Sequence, residues 1–407
     1  MGTLCYDFEF IKLFLIKSDW ATLEMGRKNY GSSHETFTVS AKRFDLSPFL
    51  SKYKDHKTVF GISANRFYPL STENDPTEAY WNLKKNVMLY DVPEKPLEIS
   101  GRDATKLLEK IFTRTIRDLK INRARYAIAC DYNGGIFMDG VLIRLGKNKF
   151  WYIHANGDFE TWLLAHTKGL HVNIRDPKSW AIQIQGPNSL KVLEEAIPDF
   201  DLTKFKYFNA RKLNFNNQNF LVSRTGWTGE LGFEIYTNGP EDNHTALWDF
   251  LMAKGKKYGI MTGGLDSMGI RRIEAGILDY GTDMNRFNNP FEVGLGTFVD
   301  LKKPFFIGKD KLLNVNKNTR LYGLKCAEAI PFSGLELLKG NKVVGQTTVG
   351  AFSPFLNAGI GYVLFEKHGD WLGKELNLKG HDKSLYKCEV TCLPFYDKLK
   401  KIPKGLI

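Results

Sequence analysis

The stretches LEISGRDATKLLEKI (residues 97–111) and IQIQGPNSLKVLEEA (residues 182–196) repeat one pattern. A short β-like run is followed by a glycine turn and then a helix, with Leu107, Leu108 and Ile111 apolar at helical spacing in the first copy. The echo points to duplication of one supersecondary unit. Each copy is followed by strands. After the first comes ARYAIACDYNGGIFMDGVLIRL, two strands about a turn at Asn133, Gly134 and Gly135, where the Asn-Gly pair is a strong hairpin signal, and then FWYIHAN. After the second come KYFNARKLNF, NFLVSRT and GFEIYT. A parallel sheet would need a helical crossover between successive strands, so this order predicts α+β units with antiparallel sheets. Beyond Lys302 the short strands LYGLKC, VVGQTTVG, IGYVLF and KCEVTCLPF, with frequent Gly and Pro, predict a small β-barrel or sandwich. The chain divides into an N-terminal extension over 1–45, two α+β subdomains over 46–310 and a C-terminal β-barrel-like domain over 311–407.

At 407 residues the chain exceeds one ordinary core. Apolar residues at 43% and charged ones at 25% exclude a disordered or collagen-like chain. No apolar window reaches membrane-spanning length. The run Phe8 to Ile16 is flanked by Asp7 and interrupted by Lys12, a poor signal peptide. Residues 1–24 therefore read as a start-site extension or loosely held tail, and the protein as cytoplasmic without membrane association. The cysteines Cys5, Cys130, Cys326, Cys388 and Cys392 are scattered and lack histidines at zinc spacing, so reduced core thiols and no metal site are expected. A net charge of +12 suits an anionic partner, but no stretch interleaves Lys/Arg with aromatics as a single-strand binder would, so nucleic acid is not expected. A polyanionic small molecule is a sufficient partner; a merely solvated basic surface is the plainer reading.

Three segments could carry chemistry. In NGGIFMDGVLI, Asp139 sits within a strand pattern, where a carboxylate is costly unless paired or used. It is either a strand-end acid or a counter-charge in a cleft. In SRTGWTGELGFEIY (residues 223–236), glycines allow close approach to a ligand and Trp227 offers a flat face for a heterocycle. Glu234 could accept two parallel hydrogen bonds from an amidine-like edge. The alternative is a glycine-rich hairpin with Trp227 in the core. In GLDSMGIRRIEAGILDYGTDM, Arg271 and Arg272 point about 100° apart on a helix, so one can overhang a site while the other meets solvent or an ion-pair partner. The histidines are structural by default, His154 in FWYIHAN being the candidate pocket group. Without GxSxG, HExxH, P-loop or GxGxxG patterns, the chain is not expected to be a serine hydrolase, zinc peptidase, nucleotide hydrolase or dinucleotide enzyme.

In this order the segments resemble the glycine-cleavage T-protein family, the folate-dependent aminomethyltransferases. The resemblance runs from about Tyr80 to Phe395. It is carried by LYDVPEKPLEISGRDA, RARYAIACDYNGGIFMDGVLI, IQIQGP, SRTGWTGELGFEIY, RRIEAG followed by YGTDM, FIGKDKLL, and VGAFSPFLNAGIGYV. It implies a three-subdomain cloverleaf about a folate-holding hole, with tetrahydrofolate as cofactor. It also implies that Asp139 is the functional aspartate, that Tyr126 lines the folate pocket and that the backbone of Val141 faces the pterin. Glu234 would clamp the pterin edge, Trp227 stands where the family usually has tyrosine, and Arg272 matches the folate-site arginine.

Two departures bear on the reaction. Met138 precedes Asp139 where the family usually has paired acids, and its Asn-Ala is replaced by Ala155 and Asn156. These features are similar to the dimethylsulfoniopropionate demethylase branch. The resemblance then implies a methyltransferase moving a methyl group from a small onium, amine or ether substrate to tetrahydrofolate, with His154 and Asn156 toward that substrate. The alternatives are a glycine-cleavage-type aminomethyltransferase and a non-catalytic folate-binding protein of the same superfamily, which would carry a KGCxxGQE-type segment where this chain has FFIGKDKLL. A homo-oligomer and a monomer are both compatible with the sequence.

Overall fold

The computed structural model of the protein describes residues 43–407. The expectations for residues 1–24 and Cys5 lie outside the described residues. Two compact units are present. The larger runs to Thr319 and takes in Pro394–Ile407, and the smaller is Arg320–Leu393.

In the larger unit a hairpin of β1 (Val59–Ser63) and β2 (Arg66–Ser71) precedes α1 (Pro76–Lys85). Asp75 caps that helix, accepting from the backbone N–H of Thr77 and Glu78 at 2.8 and 2.9 Å, with Pro76 at the first helical position. There follow β3 (Val87–Val92), β4 (Lys95–Ser100), α2 (Ala104–Ile111), β5 (Ala124–Cys130), β6 (Ile136–Gly146), β7 (Lys149–His154), α3 (Phe159–Ala165) and β8 (Asn173–Arg175). The second copy comprises β9 (Ala181–Gln185), α4 (Ser189–Ala196), β10 (Ala210–Phe215), β11 (Gln218–Ser223), β12 (Gly232–Tyr236), α5 (His244–Gly255), β13 (Ile260–Gly263) and α6 (Leu265–Glu274).

The duplication is visible in backbone detail. One sheet has the order β5-β6-β7-β4-β8 and the other β10-β11-β12-β9-β3-β13. The turn glycines of the two echoed stretches, Gly101 and Gly186, share a φ of +121°. A Cβ at Gly101 would lie 2.3 Å from the carbonyl oxygen of His171, and one at Gly186 would lie 2.6 Å from that of Asn86. All strand pairs of both sheets are antiparallel except β3–β13, which is parallel at the edge.

Alternation along the strands sorts side chains into layers. On β7, Phe150 and Tyr152 join Leu107, Leu108 and Ile111 of α2, whereas Trp151 and Ile153 face the other way. They meet Tyr90, Ala210, Leu221 and Tyr236 of the second sheet. The far face of that sheet packs on Val192 and Leu193 of α4 and Leu247 and Leu251 of α5. A shared apolar layer thus lies between the two sheets.

The copies are also interlaced. β3 belongs to the second sheet although β4, next in sequence, belongs to the first, and β8 and β9 make the reverse passage. Arg66, fully buried, ties the two crossing links together. Its Nη1 donates to the carbonyl of Glu94 at 3.0 Å and its Nη2 to that of Ser179 at 2.7 Å, with the guanidinium 4.2 Å above the Trp180 ring. Lys95 and Asp176 add an ion pair at 3.1 Å. The C-terminal segment is pinned by Tyr396, whose hydroxyl donates to Glu274 at 2.5 Å, and by the Lys404 carbonyl, which accepts from Arg224 at 2.9 Å.

The smaller unit is a closed barrel of β14 (Leu321–Cys326), β15 (Glu336–Lys339), β16 (Lys342–Ser353), β17 (Ala358–Phe365), β18 (Glu375–Lys379) and β19 (Leu385–Thr391), in the order β14-β17-β16-β15-β18-β19. Pairing of β14 with β19 completes the closure and sets Cys326 opposite Cys388. These two are disulfide-bonded, with Cα atoms 4.5 Å apart, which corrects the expectation of reduced thiols. Their separation of 62 residues hid the pairing, because register alone makes them neighbours. Cys130 and Cys392 are free. Among the described residues no helix is long and apolar enough to cross a membrane.

Replacing Arg66 with Met keeps the aliphatic stem but leaves two link carbonyls without their donor. Chemical denaturation should show a loss of about 2–4 kcal/mol; an unchanged midpoint would mean the crossing links hold without it.

Candidate functional site

The hairpin β5–β6 brings Tyr126 and Asp139 together. Asp131 shapes its turn, accepting from the backbone N–H of Asn133 and Gly135 at 2.8 and 3.0 Å, while Gly134 takes a φ of +83°. The Tyr126 hydroxyl donates to Oδ2 of Asp139 at 2.8 Å. Burial pushes the Asp139 carboxyl up to about 7; Tyr126 pulls it back, and Asp279 and Asp283 raise it further. Val141 lies opposite Tyr126 on one side and Ile153 on the other, its side chain against the shared apolar layer.

Trp227 packs on the same layer, half-buried, with the Arg272 guanidinium 5.2 Å above its ring. Arg272 donates to the carboxylate of Asp283, and to the carbonyl of Ile277 at 3.2 Å. Since Asp283 is one of the acids acting on Asp139, Arg272 links Trp227 to the Tyr126–Asp139 pair. Arg271, one residue earlier, points elsewhere: it donates to Glu230 at 2.6 Å and lies under Tyr396. Both arginines of α6 are therefore buried and ion-paired, neither reaching solvent.

Glu234, buried in β12, is held by four side chains. Its Oε2 accepts from Thr225 at 2.5 Å, Tyr236 at 2.6 Å and Ser223 at 3.3 Å, and its Oε1 accepts from Gln183 at 3.0 Å. Burial holds its carboxyl above the ordinary range. The glycines beside it do a different task from the one read in the sequence. A Cβ at Gly226 or Gly232 would lie 2.3 or 2.4 Å from the Gln185 amide, so they make room for that side chain.

His154 and Asn156 lie at the end of β7. His154 stacks on Tyr152 and has Nδ1 3.0 Å from the carbonyl of Asn156, while its Nε2 is buried without a partner. Burial lowers its pKa to about 4, so the ring is neutral at pH 7. The Asn156 amide donates to the carbonyl of Tyr280 at 2.9 Å and accepts from Ser63 at 2.5 Å. Tyr126 also borders a hollow of about 550 Å³ whose wall includes Arg114, Lys120, Arg123, Arg125 and Phe298, with Asp118 as its acid.

The sequence reading overlooked Gln183, Glu94 and Asp283. Gln183 left a usable trace: in the wholly buried strand AIQIQ its amide is one of two polar groups on one face. Glu94 left none, being a charged residue between Pro93 and Lys95 that reads as a surface turn.

Comparison with known proteins agrees with this architecture. The GCVT N-terminal domain model matches residues 56–303, and the glycine cleavage T-protein C-terminal barrel domain matches residues 319–397. The aminomethyltransferase of Clostridium botulinum (strain Okra / Type B1) is 34% identical over 331 residues, covering 78% of this chain and 88% of that one. That of Alkaliphilus oremlandii is 33% identical over 316 residues, covering 75% and 84%. In fold, the chain is similar to the glycine cleavage system aminomethyltransferase T from Bartonella henselae, with a TM-score of 0.78 at 22% identity over 87% of this chain and 99% of that one. The two matched models span most of the sequence, and the chain belongs to the glycine-cleavage T-protein family.

Proposed function

We propose that the chain moves a one-carbon group, a methyl group in the first reading, from a small cationic substrate to N5 of tetrahydrofolate. By its family the chain is a tetrahydrofolate-dependent one-carbon transferase; the substrate is the proposed part. The observation that carries it is the Tyr126–Asp139 pair, a hydrogen-bonded acid in low dielectric with two further acids acting on it. Such a site favours a positively charged reactant and the charge that develops as it reacts.

In this reading the pterin lies along Trp227 and Val141, its amidine edge toward Glu234. Arg272 fixes the Trp227 face. The basic hollow beside Tyr126 receives the carboxylates of the folate's glutamyl tail, and His154 and Asn156 border the one-carbon donor. N5 forms a bond to the methyl carbon as the bond from that carbon to the onium sulfur or nitrogen breaks, its electron pair leaving with the neutral thioether or amine. Positive charge then rests on N5 until its proton is lost, and ionised Asp139 offsets it. Holding the two reactants in line can supply up to about 7–11 kcal/mol of the barrier.

Aminomethyl transfer, with methylene-tetrahydrofolate as product, is a second reading. It is favoured by the relatives at 33–34% identity that carry the name aminomethyltransferase. Identifying methyl- or methylene-tetrahydrofolate by mass spectrometry decides between the two.

Asp139→Asn should lower turnover far more than folate affinity; equal losses would make the residue a binding group only. Because the ionised form is the working one, kcat/KM should rise as pH passes through about 7 in the wild type, and that limb should vanish in the variant. Tyr126→Phe removes a hydrogen bond that favours the anion. The limb should then move to higher pH, and a shift to lower pH would contradict the pairing.

A further inference from the structure

Glu94 stands in the first crossing link, close to the pocket residues and assigned no role so far. Its Oε1 accepts from Nε2 of Gln183 at 2.9 Å, the same nitrogen that donates to Glu234. Two carboxylates therefore flank one amide NH2 group, and both of its hydrogens are used. The other end of that amide faces the backbone N–H of Trp227 at 3.4 Å, which places the arrangement against the proposed pterin face.

The two carboxylates are not equivalent. Glu234 has donors on both oxygens, whereas Oε2 of Glu94 is buried with no hydrogen-bond partner. Every side-chain donor to the pair is neutral, an amide or a hydroxyl. Among the described residues neither carboxylate forms a salt bridge. The charged groups that act on the Glu94 carboxyl are Glu234 and Asp91, which raise it, and Arg66, which lowers it. Asp91 is an acid already taken up by the Tyr53 hydroxyl, and Arg66 gives its hydrogen bonds to two backbone carbonyls. Arg66 acts on this carboxyl through its charge but makes no hydrogen bond to it, so idle Oε2 lacks a hydrogen-bonded cation, and a buried carboxylate in that condition is costly until one is supplied.

We propose that Glu94 is a specificity-determining residue that receives the protonated nitrogen of the one-carbon donor, selecting an ammonium with at least one N–H over a sulfonium or quaternary ammonium. A fully alkylated cation brings charge without a hydrogen and would leave Oε2 unsatisfied. An N–H ammonium brings both. Burial, with Glu234 beside it, holds the empty Glu94 carboxyl at about 8, so entry of the ammonium at neutral pH expels a proton from the pair. The inference rests on the folate reading above and names the donor class for the same site.

The test uses the full chain saturated with tetrahydrofolate, after its folate affinity has been measured alone. Trimethylammonium and tetramethylammonium chloride, which differ by one N–H, are titrated by ligand-detected NMR, and proton release is measured by calorimetry in two buffers of different ionisation enthalpy. The wild type should bind trimethylammonium at least about tenfold more tightly than tetramethylammonium and release a proton on doing so. Glu94→Gln keeps the shape and the Gln183 contact. It should erase the preference and the proton release while folate affinity stays within about twofold. Equal affinity for the two cations, no uptake of trimethylammonium, or a folate affinity that falls with the substitution would overturn the proposal; the first two are read on the wild type and do not depend on the variant folding. Failure of the wild type to bind tetrahydrofolate would instead remove the folate reading and this inference with it.

Discussion

Arg66 bridging the carbonyls of Glu94 and Ser179 is the contact on which the larger unit turns. The first half lends β3 to its partner's sheet, so the chain passes from the second sheet to the first after β3 and back again after β8, and the two connecting links meet in the interior. Links carry backbone groups that no sheet satisfies, so their crossing needs a buried donor with several hydrogens in a fixed plane, which a guanidinium supplies. The same constraint carries Glu94 into the interior, since a residue that follows Val92 and precedes Lys95 cannot avoid the passage between the sheets.

Acids outnumber their cations at the candidate site. Arg272 is committed to Asp283 and Arg271 to Glu230, which leaves Asp139, Glu94 and Glu234 held by hydroxyls and an amide. Neutral donors orient a carboxylate without discharging it. The result is a group of acids all raised above the ordinary carboxylate range, for which a cation entering from outside is worth more than it would be in water. His154 fits this arrangement as a neutral ring, adding a polar atom without adding charge.

Much of the architecture was legible along the chain. The paired strand-Gly-helix stretches, the Asn133–Gly134 turn and the Gly-rich strands after Lys302 each report a local requirement, a positive φ or an alternation, that any fold must meet. Tyr126 and Asp139 were within reach for the same reason: hairpin register joins residues on either side of one turn. The glycines around Trp227 were read for close approach to a ligand, yet Gly226 and Gly232 accommodate Gln185, because a missing Cβ does not say which neighbour fills the space.

Local patterning thus settled the element types, the duplication and the hairpin that carries Asp139, since these follow from backbone sterics and periodicity over a few residues. Long-range register settled the rest. The placement of β3 beside β9, the Cys326–Cys388 bond and the meeting of Glu94 with Gln183 and Glu234 join positions separated by tens of residues. Their pairing is chosen by which faces bury together, and no spacing along the chain encodes that choice.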